Sequence, residues 1–296
     1  MNNLHGNEIT KKITFIVMAL AGSAGASTAF AGTPDIKASN NQVGIRIIST
    51  NVDYTETGNG IFGTPTGTLD TETGGVPGHA LYISAMKDLW LGNDYIEAEY
   101  DNSSGNTNYV GGFIGPPATP YGSAVGTSSA TLINYSARYG KGFIKGFIID
   151  NANDEFMLTP YAELGHHEWD RGANYGETYT HNYLGFGAMG QYSPVSKLVL
   201  SANAMVGETF GSYITVNSGP GLNGFSGSLG NSILYKVGVA ADYAFMKHFH
   251  GNVGVDYMSF NYGISAAYPV GGGFVAWEPD SKTNYTTVKI GLGYAF

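Results

Sequence analysis

Apolar and polar residues alternate with period two along most of the chain. From Tyr285 to Phe296 the sequence reads Y-T-T-V-K-I-G-L-G-Y-A-F. Val288, Ile290, Leu292, Tyr294 and Phe296 share one parity; Thr287, Lys289, Gly291, Gly293 and Ala295 share the other. A strand sends successive side chains to opposite faces, so one face here is apolar or aromatic and the other small or polar. The same pattern predicts strands at about 43–54, 79–87, 94–101, 130–139, 156–168, 180–192, 198–210, 232–245, 249–262 and 284–296. Several can be read face by face. In 232–245, Tyr235, Val237, Val239, Ala241, Tyr243 and Phe245 form the apolar face, with Lys236, Gly238 and Asp242 on the other. In 249–262, Val253, Val255 and Tyr257 oppose His250, Asn252 and Asp256. Ile47-Ile48 interrupts the first strand and predicts a bulge there.

The connections differ systematically in length. Stretches 55–78, 102–129, 169–179, 211–231 and 263–283 read as long polar loops, while 88–93, 193–197 and 246–248 are short and 140–155 is intermediate, with 143–149 able to extend or add a strand. An even number of antiparallel strands, with short turns at one end and long loops at the other, is the layout of a transmembrane barrel. The fold class expected is all-β, a closed up-and-down barrel of about ten strands, with eight or twelve as the neighbouring possibilities. The apolar parity then faces lipid and the polar parity the lumen. Tyr54, Trp90, Tyr100, Tyr139, Phe156, Trp169, Tyr192, Phe210, Phe249 and Phe296 lie near strand ends and suit the two interfacial girdles.

Composition agrees. Of 296 residues 44 are Gly and 21 Tyr, only 12% are charged, and the mean hydropathy is −0.08. Globular domains carry roughly 25% charged residues, whereas alternating lipid-facing and lumen-facing strands average to a low-charge chain without long apolar runs. The lack of Cys excludes disulfides and thiolate chemistry. A net charge of −9 argues against nucleic acid as a partner. Residues 1–31 read as a secretory signal: Lys11 and Lys12, the apolar run 13–21, then the Ala29-Phe30-Ala31 box. Residues 32–42 read as a polar periplasmic lead and 43–296 as the barrel.

The final strand resembles the C-terminal insertion signal of bacterial outer-membrane β-barrels, carried here by Lys289, Gly291, Tyr294 and Phe296. With the signal segment and the loop alternation, the chain resembles the superfamily of small outer-membrane barrels that includes opacity-type surface antigens and the barrel of outer-membrane protein A. The resemblance implies a place in the outer membrane of a Gram-negative bacterium, with the lipid bilayer, the barrel-assembly machinery and an unidentified extracellular ligand as partners. It implies a structural, adhesive or surface-contact role through the outer loops.

Strand-borne charges mostly fall on the inward parity: Arg46, Glu97, Glu99, Arg138, Glu163, Lys236, Asp242, Asp256 and Lys289. Their near balance predicts a ladder of ion pairs across a narrow lumen, with a charged pore as the alternative. Lys87, Lys141, Lys145, Lys197 and Lys247 gather at the predicted periplasmic end, where phospholipid phosphates lie, while the predicted outer loops hold only Arg171 and Lys282.

No catalytic residue, cofactor or metal ligand is assigned. An omptin-like protease, also ten-stranded, needs paired Asp residues facing a His-x-Asp, and no His-x-Asp occurs in the chain. His167 has no Ser at a recognisable spacing for a lipase. His166, His167, Glu168, Asp170 and His181 could supply zinc or copper ligands, but alternation sends His166 and His167 to opposite faces. His248 and His250, on a tight inner turn, are expected to face solvent. A barrel enzyme and a soluble lipocalin-like protein are the remaining, less favoured readings.

Overall fold

A computed structural model describes residues 33–61, 64–90, 92–112, 119–144 and 156–296. A short helix, α1 (Thr33–Ser39), leads into ten long strands: β1 (Gln42–Asn59), β2 (Thr66–Lys87), β3 (Asp94–Gly111), β4 (Ala124–Lys141), β5 (Phe156–Arg171), β6 (Glu177–Val195), β7 (Leu198–Val216), β8 (Ile233–Ala244), β9 (Phe249–Tyr262) and β10 (Asp280–Ala295). Each pairs antiparallel with the next, and β10 returns to β1 from Gln42↔Ala295 to Thr57↔Asp280, which closes the sheet into a ten-stranded barrel. Closure satisfies the ladder bonds of both would-be edges, as a strand structure inside hydrocarbon must.

The apolar parity points outward. Ile47 is 76% exposed while its neighbour Ile48 is 3% exposed and faces the lumen. No bulge occurs at that pair: the register to β2 and β10 is continuous through it, and the irregularity in β1 lies at Glu56/Thr57 instead. Two adjacent isoleucines need no bulge, because one meets lipid and the other fills the core.

Ile45 and Ile47 on β1, Leu81 and Ile83 on β2, Leu184 and Phe186 on β6, Val237 and Val239 on β8, and Ile290 and Leu292 on β10 form the exposed apolar band. Beyond it the strands continue. A tilted strand crosses a bilayer in ~9–11 residues, but β2 has 22, so about half of it stands outside the membrane. Its outward residues there are polar, as are Asn51 and Asp53 on β1 and Asn106 and Asn108 on β3. Most of the stretches 55–78 and 102–129 expected as loops are therefore wall, not loop. Arg171 ends β5 and Lys282 lies within β10, so neither is a loop residue.

Tyr54 and Trp169 are fully buried and point inward, so they leave the girdle. The other girdle candidates, Trp90, Tyr100, Tyr139, Phe156, Tyr192, Phe210, Phe249 and Phe296, are exposed. Phe143–Ile144 forms a two-residue strand against β5. Residues 145–155, with Lys145, lie outside the described residues, as does the predicted signal segment 1–31. Large inward rings fit because small residues face them: a Cβ added at Gly165 would come 2.3 Å from the Tyr183 ring.

Candidate functional site

The lumen is occupied in layers from the short-turn end, where β1 begins and β10 ends, toward the other. The stretch 32–42, expected as a polar lead, instead carries α1, whose ends suit a helix: Pro34 and Asp35 in the first turn, Lys37 in the last. Ile36 is fully buried in the apolar cluster that includes Met86, Met157 and Val199. Asn40 and Gln191 exchange amide hydrogen bonds of 2.7 and 2.9 Å, and Asn41 accepts from the Met86 N–H at 3.1 Å. The segment is thus a plug held in the mouth at the short-turn end by both apolar burial and amide pairing.

Just above it, His250 Nδ1 lies 2.5 Å from Asp242 Oδ1, Gln42 donates to Asp242 at 3.0 Å, and Tyr82 donates to Gln42 at 2.9 Å. His250 is buried in the lumen, not solvent-facing, because its parity matches Asn252 and Asp256. His248 is half-buried, its ring stacked on Tyr294.

The mid-lumen layer joins eight of the nine candidate charges. Arg46 pairs with Glu99; Lys289 pairs with Glu99 and, at 3.0 Å, with Asp256. Arg138 reaches Glu163 at 2.6 Å and Glu97 at 3.3 Å, and Lys236 reaches Glu163 at 2.5 Å. Asp242 is the member left out, being drawn into the layer below. Asp101, at 4.0 Å from Lys289, is an addition, missed because the predicted strand ended there. The Arg46 guanidinium lies 3.7 Å from the Tyr82 ring centroid and Arg138 4.2 Å from that of Tyr161. A cavity of about 190 Å³ remains beside the ladder, bordered by Asn203, Ala240, Asn252, Gly254, Asp256 and Thr287. Met189, Val253 and Met258 also line it, and its polar side, with Arg46, Glu99 and Lys289, has room for ordered water.

Above the ladder stands an aromatic layer. His167 and His181 are paired across β5 and β6, with ring centroids 5.1 Å apart. His167 contacts Asn134 at 2.7 Å and Tyr285 at 3.2 Å, and His181 contacts Tyr262 at 2.7 Å. Both lie beyond the last lipid-facing residues of their strands, Leu164 and Leu184, and burial holds both imidazoles below the usual histidine range. Their partners are an amide and phenols, an arrangement that supplies no carboxylate to orient a histidine and no nucleophile beside it. His166 points outward and stacks on Tyr135. Among the described residues no three His, Asp or Glu are placed to hold a metal ion.

The outermost layer was not legible as a unit. Arg171, fully buried, donates through Nε to Glu72 at 2.6 Å, through Nη2 to Asp70 at 2.7 Å and through Nη1 to Glu177 at 2.8 Å; Glu56 lies 3.9 Å away. The β9–β10 connection carries Glu278 back into the mouth, where it accepts from Tyr179 at 2.6 Å and Tyr54 at 3.3 Å. Four carboxylates thus converge on one guanidinium, and Glu278 joins them through Tyr179 and Tyr54. Burial pushes the Glu56, Asp70, Glu177 and Glu278 carboxyls up, against the pull of Arg171. Burial opposes the Arg171 charge too, but Asp70, Glu177, Tyr54 and Tyr179 together raise its pKa. The cluster ties β1, β2, β5, β6 and the last outer connection together above the membrane.

No family model matches the chain, and no curated protein matches it. Among solved structures, the outer membrane protease OmpT of Escherichia coli is similar over 87% of this chain and 97% of that one, with a TM-score of 0.55 and 12% identity. Ail of Yersinia pestis (TM-score 0.31, 13% identity, 87% and 99% covered) and OprG of Pseudomonas aeruginosa (0.33, 14%, 87% and 98%) also match. At such identities the likeness is one of fold. With its closed ten-stranded sheet and outward apolar band, the protein has the fold of a transmembrane β-barrel, shared over most of its length with OmpT.

Proposed function

We propose that this protein is a sealed barrel that holds a rigid contact surface above the outer membrane, and that it is neither a channel nor an enzyme. The observation that carries the reading is the layered filling of the lumen among the described residues: the α1 plug, the ion-pair ladder, the histidine–tyrosine layer and the Arg171 cluster succeed one another along it. Bare polar pores keep such groups apart, leaving water between them; here they bond to each other. The contact surface is the outer wall, where β1 to β4 run past the apolar band and present Asn51, Asp53, Thr73, Asn106 and Asn108 on rigid strands. A wall of strands orders these groups in advance, so contact costs little conformational entropy.

Two readouts on the purified and the cell-borne protein test this. In planar bilayers the wild type should give no ohmic steps; steps that vanish with Glu97→Gln or Lys236→Gln would make the protein a narrow porin. On cells, replacing the outward polar residues of the β3–β4 wall with lysine should change attachment to surfaces while insertion stays normal. Unchanged attachment would remove the contact role.

A further inference from the structure

The periplasmic rim carries a regular feature that a sealed contact barrel does not require. Each of the three short turns closing this end begins with or contains a lysine, and so does the longer connection after β4: Lys87 ends β2, Lys197 sits in the β6–β7 turn, Lys247 in the β8–β9 turn, and Lys141 ends β4. Following the ring of strands, this places one ammonium at each hairpin around the mouth. Lys87, Lys197 and Lys247 are exposed and make no ion pair among the described residues. On the outer half the sign reverses. Asp53, Asp170 and Glu208 are exposed there, against Lys282 as an exposed base.

Two further details show that these lysines are set for a boundary, not merely for water. Their neighbours are exposed rings and aliphatics. Lys87 Nζ lies 5.5 Å from the Phe296 ring centroid and Lys141 Nζ 5.6 Å from that of Phe143; Phe245 and Phe249 flank Lys247 in sequence. An ammonium on an apolar stem beside such a collar places its charge at the level of headgroup phosphate. Lys197 also has φ +72°, the left-handed region that disfavours residues with a Cβ. The β2–β3 turn fills such positions with Gly92 and Asn93. A lysine at this place in the Ser196-Lys197 turn works against the backbone and is explained by its side chain.

We infer that this rim is a binding collar for the anionic phospholipid headgroups of the inner leaflet, with the ammonium groups of Lys87, Lys197 and Lys247 on the lipid phosphates. Near a membrane surface a lysine adds about fivefold to apparent affinity, so the three together give on the order of 100-fold.

The full-chain barrel, purified in a zwitterionic detergent, is titrated with phosphatidylglycerol and with phosphatidylcholine, and bound lipid is counted by native mass spectrometry. Wild type should retain phosphatidylglycerol in preference. K87Q/K197N/K247Q should lose that preference by on the order of 100-fold, with Asn chosen at 197 because it tolerates the left-handed backbone. K87R/K197R/K247R and K282Q should keep it. Equal retention of both lipids by wild type, or an undiminished preference in the neutral variant, would overturn the proposal. So would inorganic phosphate displacing the lipid at equal concentration, which would mark a free-anion site. Should the neutral variant fail to fold, salt serves on wild type alone: raising ionic strength from about 0.05 to 0.5 M must abolish the preference, and a salt-independent preference contradicts the collar.

Discussion

Arg171→Met should lower the unfolding free energy by about 3–5 kcal/mol, because removing the cation from a buried ion network leaves its partners uncompensated. Here the partners are Asp70, Glu72 and Glu177 in direct contact, with Glu56 and Glu278 close behind. The loss depends on pH with a definite sign. The carboxyls of Glu56, Asp70, Glu177 and Glu278 already sit above their ordinary range in the folded protein. A raised carboxyl favours folding below its unfolded pKa, and that contribution fades as pH rises through the folded value. Without Arg171 the folded values rise further, so the deficit of the variant should be largest near pH 8 and shrink toward pH 5. The buried histidines respond oppositely, since their lowered pKa values weaken the fold on acidification. That response is common to both proteins and cancels in the difference. Urea unfolding in lipid vesicles, followed by tryptophan fluorescence at the two pH values, measures it. A loss below about 1 kcal/mol, in the range of an exposed pair, or one that grows on acidification, would contradict the cluster.

Glu163→Leu should be comparably damaging, again about 3–5 kcal/mol. Its carboxylate is fully buried and takes Arg138 at 2.6 and 2.9 Å, Lys236 at 2.5 Å and the Tyr183 hydroxyl at 2.9 Å. Arg138 keeps Glu97 at 3.3 Å, but Lys236 keeps no carboxylate among its ion pairs. The double variant Glu163→Leu/Lys236→Met should therefore recover part of the loss, because it removes the stranded ammonium with its partner. If the two substitutions simply add, the ladder is not coupled in the way the geometry requires.

Much of this architecture can be read from alternation, and the reason shows where it stops. Within the bilayer the two faces of a strand meet hydrocarbon and a polar lumen, so Tyr235, Val237 and Val239 stand out against Lys236 and Gly238. Strand starts at Asp94, Phe156, Leu198 and Phe249 follow directly. Above the bilayer both faces are polar. In T-G-T-L-D-T-E-T-G-G, the outer part of β2, no contrast survives, and a strand reads as a loop. Asp70 and Glu72 lay in such a stretch, as did Glu56, and so the Arg171 cluster was invisible although each member was in view. The ladder was legible for the complementary reason: a charge within a membrane strand has to turn inward, and only its partners needed a structure. The α1 plug left a weak trace, since a seven-residue helix has too few turns for a periodic signal.

The two parities of β8 point to opposite sides of the wall, one to lipid and one to the lumen. The chain has no cysteine, so single cysteines at successive positions of β8 can carry a reporter without background. Variants Val237→Cys, Val239→Cys and Ala241→Cys are compared with Ala240→Cys and Asp242→Cys in vesicles whose acyl chains bear a spin label. Strong quenching at 237, 239 and 241 with little at 240 and 242 is the predicted result; uniform quenching, or the reverse alternation, would contradict it.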